Sequence, residues 1–287
     1  MVDVERLPAN DADAVAHTAL AEDGSRDITT EVTGAADRPM VAAIEYRSGG
    51  IVSGLAYADA VATAAGCDPV RWSAGEGEQV TAGAVIGVVR GTYASVLRAE
   101  RPMLNLLQRA CGVANATAMY VAAVAGTRCR VLHTRKTTPG LRRLELRAVL
   151  AGGGALHRSG LGDAAMIKDN HWRALDRAGV ALRTALGEAR ARGATMLSVE
   201  VESEVQLRRA CEAGATRILI DNQSAGTVAQ WAALARQLAP GVEIEATGGI
   251  TLDTIRAYAE AGADFVSIGA LTQGMQSADL ALEVTQM

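Results

Sequence analysis

Lysine is almost missing from this 287-residue chain. Of 28 basic residues, only Lys136 and Lys168 are lysine, and the rest are arginine. Arg serves an ordinary solvated position equally well. Lysines that persist in such an Arg-rich chain mark positions that need a compact, rotatable ammonium or a shiftable pKa. Aromatic residues are scarce at 3%, with a single Phe, and the net charge is −4. Both features exclude nucleic acid as the main partner. The four cysteines, Cys67, Cys111, Cys129 and Cys211, form no CxxC pair. That scatter excludes a disulfide framework or zinc site and points to free thiols in a reducing, cytoplasmic compartment. Although 49% of residues are hydrophobic, no uninterrupted apolar run reaches the length of a membrane span. The opening Met1-Val2-Asp3-Val4-Glu5-Arg6 is mixed in charge and lacks the regions of a signal peptide. A soluble enzyme of one large or two smaller domains remains.

Two regions differ in grammar. Residues 1–108 mix short strands, turns and helices, and Gly75–Gly83 followed by Val85–Val89 reads as hairpins with Gly at the turns. The stretch looks like a lipoyl or biotinyl half-barrel, but the region holds no lysine to carry a prosthetic group. A structural or substrate-covering domain is therefore expected. A long alanine-rich helix is predicted over residues 100–125, starting near Glu100-Arg101-Pro102.

From 109 to 272 a βα theme repeats. Apolar runs at Cys129–Leu132, Ala164–Ile167, Leu197–Val201, Ile218–Ile220, Val242–Ile244 and Phe265–Ile268 alternate with helical stretches. That spacing implies a parallel sheet. Glu212-Ala213-Gly214-Ala215-Thr216 and Glu260-Ala261-Gly262-Ala263-Asp264 form a weak internal repeat in which Gly ends a helix before a strand. The expected class is α/β, with an incomplete barrel of six or seven strands. Residues 273–287 form a C-terminal segment returning toward the first region.

Polar residues follow nearly every run: Arg135 and Lys136, Lys168, Glu200, Asp221, Thr247-Gly248-Gly249 and Gly269-Ala270. Strand C-termini are where barrel enzymes collect their chemistry. The last two loops suit a phosphate, because glycine lets backbone N–H groups approach an anion at a helix N-terminus. Glu200 and Asp221 are candidate Mg²⁺ ligands, directly or through water. Arg135, Lys136, His157, Arg158 and Lys168 form a cationic set, with Gly152-Gly153-Gly154 expected as a flexible loop before His157. The combination suits a ligand with several negative charges.

The chain resembles quinolinate phosphoribosyltransferases, the nicotinate-nucleotide pyrophosphorylases of NAD synthesis. The likeness is carried by Asp27-Ile28-Thr29-Thr30, Gly49–Gly54, Glu100–Asn105, Thr134–Arg142, Gly152–Arg158, Ile167–His171, Val199–Glu202, Leu219–Asn222 and Thr247–Ile250. It implies a Mg²⁺-dependent enzyme joining quinolinate to phosphoribosyl pyrophosphate (PRPP), with loss of pyrophosphate and CO₂. It also implies an open-faced N-terminal α/β domain, an incomplete, about seven-stranded α/β barrel, and a homodimer or higher even oligomer with shared active sites. By the resemblance, Arg135, His157, Arg158 and the partner's Arg101 bind the dicarboxylate. Lys136, Lys168, Glu200 and Asp221 act on the reacting groups, ribose and metal. Thr247, Gly248, Gly249, Gly269 and Ala270 hold the 5′-phosphate. His133, Leu146-Arg147, Cys111, Asn115 and Gln273 depart from the family pattern. They leave open a paralogue acting on another ring acid, or a phosphate-sensing barrel without turnover.

Overall fold

The computed structural model describes residues 11–158, 160–162 and 164–286, so the Met1–Arg6 segment lies outside the described residues. In chain order the first elements are α1 (Ala12–Glu22), α2 (Ile28–Thr33), β1 (Pro39–Tyr46), β2 (Gly50–Ile51), α3 (Leu55–Ala64), β3 (Arg71–Trp72), β4 (Gln79–Val80), β5 (Ala84–Thr92) and α4 (Tyr93–Ala123). There follow β6 (Arg130–Leu132), α5 (Arg142–Ala151), β7 (Ala165–Ile167), α6 (Asp169–Ala178), α7 (Leu182–Ala191), β8 (Leu197–Val201), α8 (Glu204–Ala213), β9 (Arg217–Asp221) and α9 (Ala225–Leu238). The last are β10 (Glu243–Thr247), α10 (Leu252–Glu260), β11 (Phe265–Ser267), α11 (Ala270–Gln273) and β12 (Leu280–Gln286). The chain divides into two compact units. Among the described residues, one holds Met119–Arg135 and Gly154–Gly269; the other holds those up to Ala118, Lys136–Gly153 and those from Ala270.

The second of these units is built on an antiparallel sheet in the order β12-β1-β5-β3, beside a two-stranded β2–β4 ribbon. Ile44, Tyr46, Ile86 and Val89 are buried from its strands. Asn115, where the family pattern is altered, accepts from Ile51 N at 2.7 Å and donates to the Tyr46 hydroxyl at 2.9 Å. α4 begins at Tyr93, seven residues before the expected start, and Pro102 lies inside it. Two reciprocal bonds explain the early start: Ser95 Oγ accepts from Thr92 N at 2.9 Å and Thr92 Oγ1 accepts from Ser95 N at 3.1 Å. Val96, Ala99, Met103, Leu107 and Ala110 then form a buried helical stripe. That stripe carries the helix through the one N–H that Pro102 lacks. The glycines before His157 also differ from expectation. A Cβ on Gly152 would lie 2.3 Å from Ala114 O, so Gly152 is a close-packing position, and Gly153 turns at φ +81°.

The other unit is a parallel α/β layer with strand order β6-β11-β10-β9-β8-β7. The hydrogen-bonded sheet is thus six strands in open order. Leu132 makes one isolated parallel bridge to Ala155, a single rung in place of a seventh strand, and closure into a barrel is not part of this sheet. Alternation along the strands sorts the side chains. The register aligns Ser198 with Arg217 and Glu243, Glu200 with Leu219, Glu245 and Phe265, and Asp221 with Thr247. These residues share one face. The opposite face carries Val199, Val201, Ile218, Ile220, Ile244, Ala246 and Val266, all buried. The sheet is therefore apolar on one side and strongly polar on the other. Gly214 and Gly262 end their helices in the left-handed region at φ +87° and +94°, as the internal repeat predicts.

Candidate active site

Successive parallel strands bring Lys168, Glu200, Asp221 and Thr247 to the same edge of the polar face. Lys168 follows β7 and stands just before α6, where its backbone N–H donates to His171 Nδ1 at 3.0 Å. Its side chain is 42% exposed, and its ammonium donates to Glu200 Oε2. Glu200, only 7% exposed, is fixed through its backbone as well, since Trp172 Nε1 donates to Glu200 O at 2.9 Å. Trp172 is itself buried on α6. The helix after the lysine thus holds the backbone of the residue whose carboxylate the lysine meets.

Asp221 ends β9, and its Oδ2 accepts from Asn222 Nδ2 at 2.7 Å. Asn222 is the one described non-glycine residue with positive φ, at 51°. Its backbone N–H donates to Thr247 O at 3.0 Å, and its side chain fills the space beside Gly248. A Cβ on Gly248, at φ +85°, would lie 2.3 Å from Asn222 Oδ1. Gly249 turns at φ +62° and faces open space. Thr251 N–H donates to Thr254 Oγ1 at 2.9 Å as α10 begins. A glycine turn feeding a helix N-terminus is an arrangement suited to an anion. Gly269 follows β11 in this unit, half-buried.

His157 and Arg158 are placed differently from the other candidates. His157 is 7% exposed, and its Nε2 lies 3.0 Å from Glu245 Oε2. Arg158 N donates to His157 Nδ1 at 2.7 Å, so both ring nitrogens are engaged within the protein. The Arg158 guanidinium donates to Ala164 O and Met166 Sδ, each at 3.3 Å. Glu245, 1% exposed, also accepts from Arg217 Nη1 at 3.2 Å and from Ser267 Oγ. Burial alone would raise the Glu245 carboxyl. The opposing contributions of His157, Arg217 and Ser267 outweigh it and hold the group below its usual range. Arg135 is exposed after β6.

Three candidates fall in the other unit. Arg101 is exposed on α4, and Ala270 opens α11. Lys136 is exposed, and its carbonyl accepts from Thr272 Oγ1 at 2.6 Å. Behind it, Arg109 donates to Thr138 Oγ1 at 2.8 Å, to Thr272 O at 2.7 Å and to Glu145 Oε1 at 2.7 Å. Glu145 is fully buried and also accepts from Thr138 N at 3.2 Å. One ion pair, its carboxylate fully buried and its guanidinium half-buried, thereby ties both segments that flank the lysine backbone.

Sequence reasoning missed Glu245, Arg217, Arg109 and the clamp made by Asn222. A signal was present for Glu245: Glu243, Glu245 and Thr247 alternate with Ile244 and Ala246, so the carboxylate shares a face with a candidate site residue. Arg109 lies in a long helix and carries no comparable mark.

A parallel α/β sheet with an ammonium–carboxylate pair, a second carboxylate and a glycine turn at the C-terminal edge of its strands has the arrangement of an α/β enzyme. Comparison with known proteins narrows the class. Residues 27–111 match the N-terminal domain and residues 113–283 the C-terminal domain of quinolinate phosphoribosyl transferase. The nicotinate-nucleotide pyrophosphorylase [carboxylating] of Rattus norvegicus is 36% identical, over 97% of this chain and 92% of its own. The probable nicotinate-nucleotide pyrophosphorylase [carboxylating] of Bacillus subtilis is 41% identical, over 73% and 71%. The solved nicotinate-nucleotide pyrophosphorylase of Francisella tularensis superposes with a TM-score of 0.89 at 31% identity, covering 99% of this chain and 100% of that one. The chain belongs to the quinolinate phosphoribosyl transferase family.

Proposed function

We propose that this protein transfers phosphoribosyl from PRPP to the ring nitrogen of quinolinate, releasing pyrophosphate and CO₂ and giving nicotinate mononucleotide for NAD synthesis. The observation that carries the reading is the shared edge of Lys168, Glu200, Asp221 and the Thr247–Gly249 cradle on one polar face, in a chain of this family.

Displacing pyrophosphate from the anomeric carbon builds positive charge on the ribose and negative charge on the leaving group. Glu200 and Asp221 stand for the first, Lys136 and Lys168 for the second. Thr247, Gly248, Gly249, Gly269 and Ala270 hold the 5′-phosphate. Arg135, Arg158 and Arg101 of the partner subunit supply positive charge for two carboxylates, and His157 stands beside Arg158. CO₂ loss next to the new pyridinium leaves carbanion character that these cations favour. Among the described residues no group of three or more His, Cys, Asp and Glu side chains is placed to hold a metal. Two carboxylates fit an ion that keeps most of its ligands on water and substrate phosphates, as Mg²⁺ does. Glu200 and Asp221 would hold it, directly or through water, and it would neutralise charge on the departing pyrophosphate. The protein acts as a homodimer or higher even oligomer in the cytoplasm. Among the described residues no helix is long and apolar enough to cross a membrane.

The test is release of pyrophosphate and CO₂ with quinolinate, nicotinate and other ring acids in parallel. Nicotinate leaves a desolvated guanidinium unpaired, at about 2–5 kcal/mol. Quinolinate is expected to win by roughly 30-fold or more. Equal efficiency with nicotinate, or inactivity with quinolinate alone, would overturn the dicarboxylate assignment.

A further inference from the structure

We infer that Glu245, inside the sheet, is a positioning residue for the acid substrate: it fixes the ring of His157 in one tautomer, and His157 in turn fixes Arg158. The inference rests on the proposed role of Arg158 at the acid substrate. Its geometry does not.

A backbone N–H can only donate. Because Arg158 N donates to His157 Nδ1 at 2.7 Å, that nitrogen must offer its lone pair, and the ring proton must sit on Nε2. Nε2 faces Glu245 Oε2 at 3.0 Å, the acceptor that this tautomer requires. A ring with its proton on Nδ1, or on both nitrogens, would set two donors against each other at Arg158 and lose that bond.

Glu245 is itself held from both sides. Arg217 Nη1 reaches Oε2 at 3.2 Å, while Ser267 Oγ donates to Oε1. Arg217 is braced by Glu243 Oε2 at 2.7 Å and stacks on Phe265, 4.0 Å from the ring centre. A buried carboxylate with three donors is not a cheap way to fill a core, since apolar residues of similar volume serve stability as well or better. Among its hydrogen bonds in the described residues, only that to His157 leaves the strands of the sheet. It ends on His157, next to Arg158, whose guanidinium already reaches Ala164 O and Met166 Sδ. The network therefore delivers rigidity to one cation from below. Specificity for an anionic ring, more than turnover, depends on where that cation stands.

The experiment has a spectroscopic and a kinetic arm. Long-range ¹H–¹⁵N spectra of the full-length wild type should show His157 with a pyrrole-type Nε2 and a pyridine-type Nδ1. Glu245→Met removes the acceptor at similar volume. It should mix the tautomers and raise KM for quinolinate by about tenfold, the loss of one hydrogen bond, while KM for PRPP stays within about twofold. Glu245→Gln keeps an acceptor for His157 and Arg217 and a donor for Ser267 Oγ, so it should retain the tautomer and a near-normal quinolinate KM. A wild-type ring protonated on Nδ1 or on both nitrogens overturns the inference, and needs no variant to fold. Equal movement of both KM values in Glu245→Met, or a Gln variant as impaired as Met, overturns it too. A wild type inactive with quinolinate would overturn the proposed function instead, while the ring spectra would still decide the relay.

Discussion

Lys168 meets Glu200 as a compact ammonium against a mostly buried carboxylate, within a strand-end geometry that Trp172 and His171 hold from the helix behind. A guanidinium is wider, planar and differently directed, so Lys168→Arg keeps the charge and loses the fit. The same holds for Lys136, whose backbone is pinned at its carbonyl by Thr272. Each Lys→Arg change is expected to lower kcat/KM by about 10²–10³-fold with the folded state intact. Near-normal kinetics in both would sink the idea that scarcity marks these lysines as functional. The cysteines behave in the opposite sense. Burial pushes the Cys111 thiol up to about 11 and the Cys129 thiol up to about 12. Native protein near neutral pH should therefore resist alkylation at both, and react only once unfolded. The linkage follows in sign. With the folded values raised above the ordinary thiol, stability is intact below about pH 8.5 and falls as pH rises toward the folded values. Thermal unfolding between pH 8 and 10.5 checks it, and a flat profile would contradict it.

At the level of elements, the six parallel strands were legible because each contains an apolar run between helices, within a few residues of its observed bounds. Their full lengths were not. The run read as Val242–Ile244 extends to Thr247, and Ile218–Ile220 is flanked within its strand by Arg217 and Asp221. A sheet polar on one face breaks apolar runs at the residues that matter most, so Glu245 and Arg217 fall out of a reading based on hydrophobicity. α4 shows the converse, since Pro102 suggests a helix start that tertiary burial overrides. Candidate site residues at strand ends could be read from position alone, but the pairing of His157 with Glu245 joins residues 88 apart and left no local trace. The Arg109–Glu145 pair gives a sharp test. Arg109→Met would leave the fully buried Glu145 carboxylate without its cation, at a cost of about 3–5 kcal/mol. Thermal melts should show a large fall in Tm, and Arg109→Met with Glu145→Met together should recover part of it. A loss below ~1 kcal/mol in the single variant would mean the pair is not stabilising this loop.

For the whole molecule, the proposed exchange of Arg101 between subunits makes a quantitative demand. Arg101→Ala and Lys168→Ala homodimers should each be inactive. Mixed after unfolding and refolding together, they should recover about a quarter of the wild-type rate, because half of the two-fold dimers are hybrids with one intact site. No recovery, or an active monomer by sedimentation, would rule out shared sites.

The pairing of β12 with β1 sets Val41 against Gln286. On the ribosome, the hydrogen-bonding edge of β1 must then wait for residues that emerge some 240 positions later, roughly 10–50 s at ordinary rates of synthesis. Throughout that interval the nascent chain displays an open β edge on a strand whose residues are mostly buried in the finished fold, which is a template for the wrong partner. Yield in the cell is then governed by the time to complete this sheet, which slower translation lengthens and a chaperone that covers β edges makes harmless.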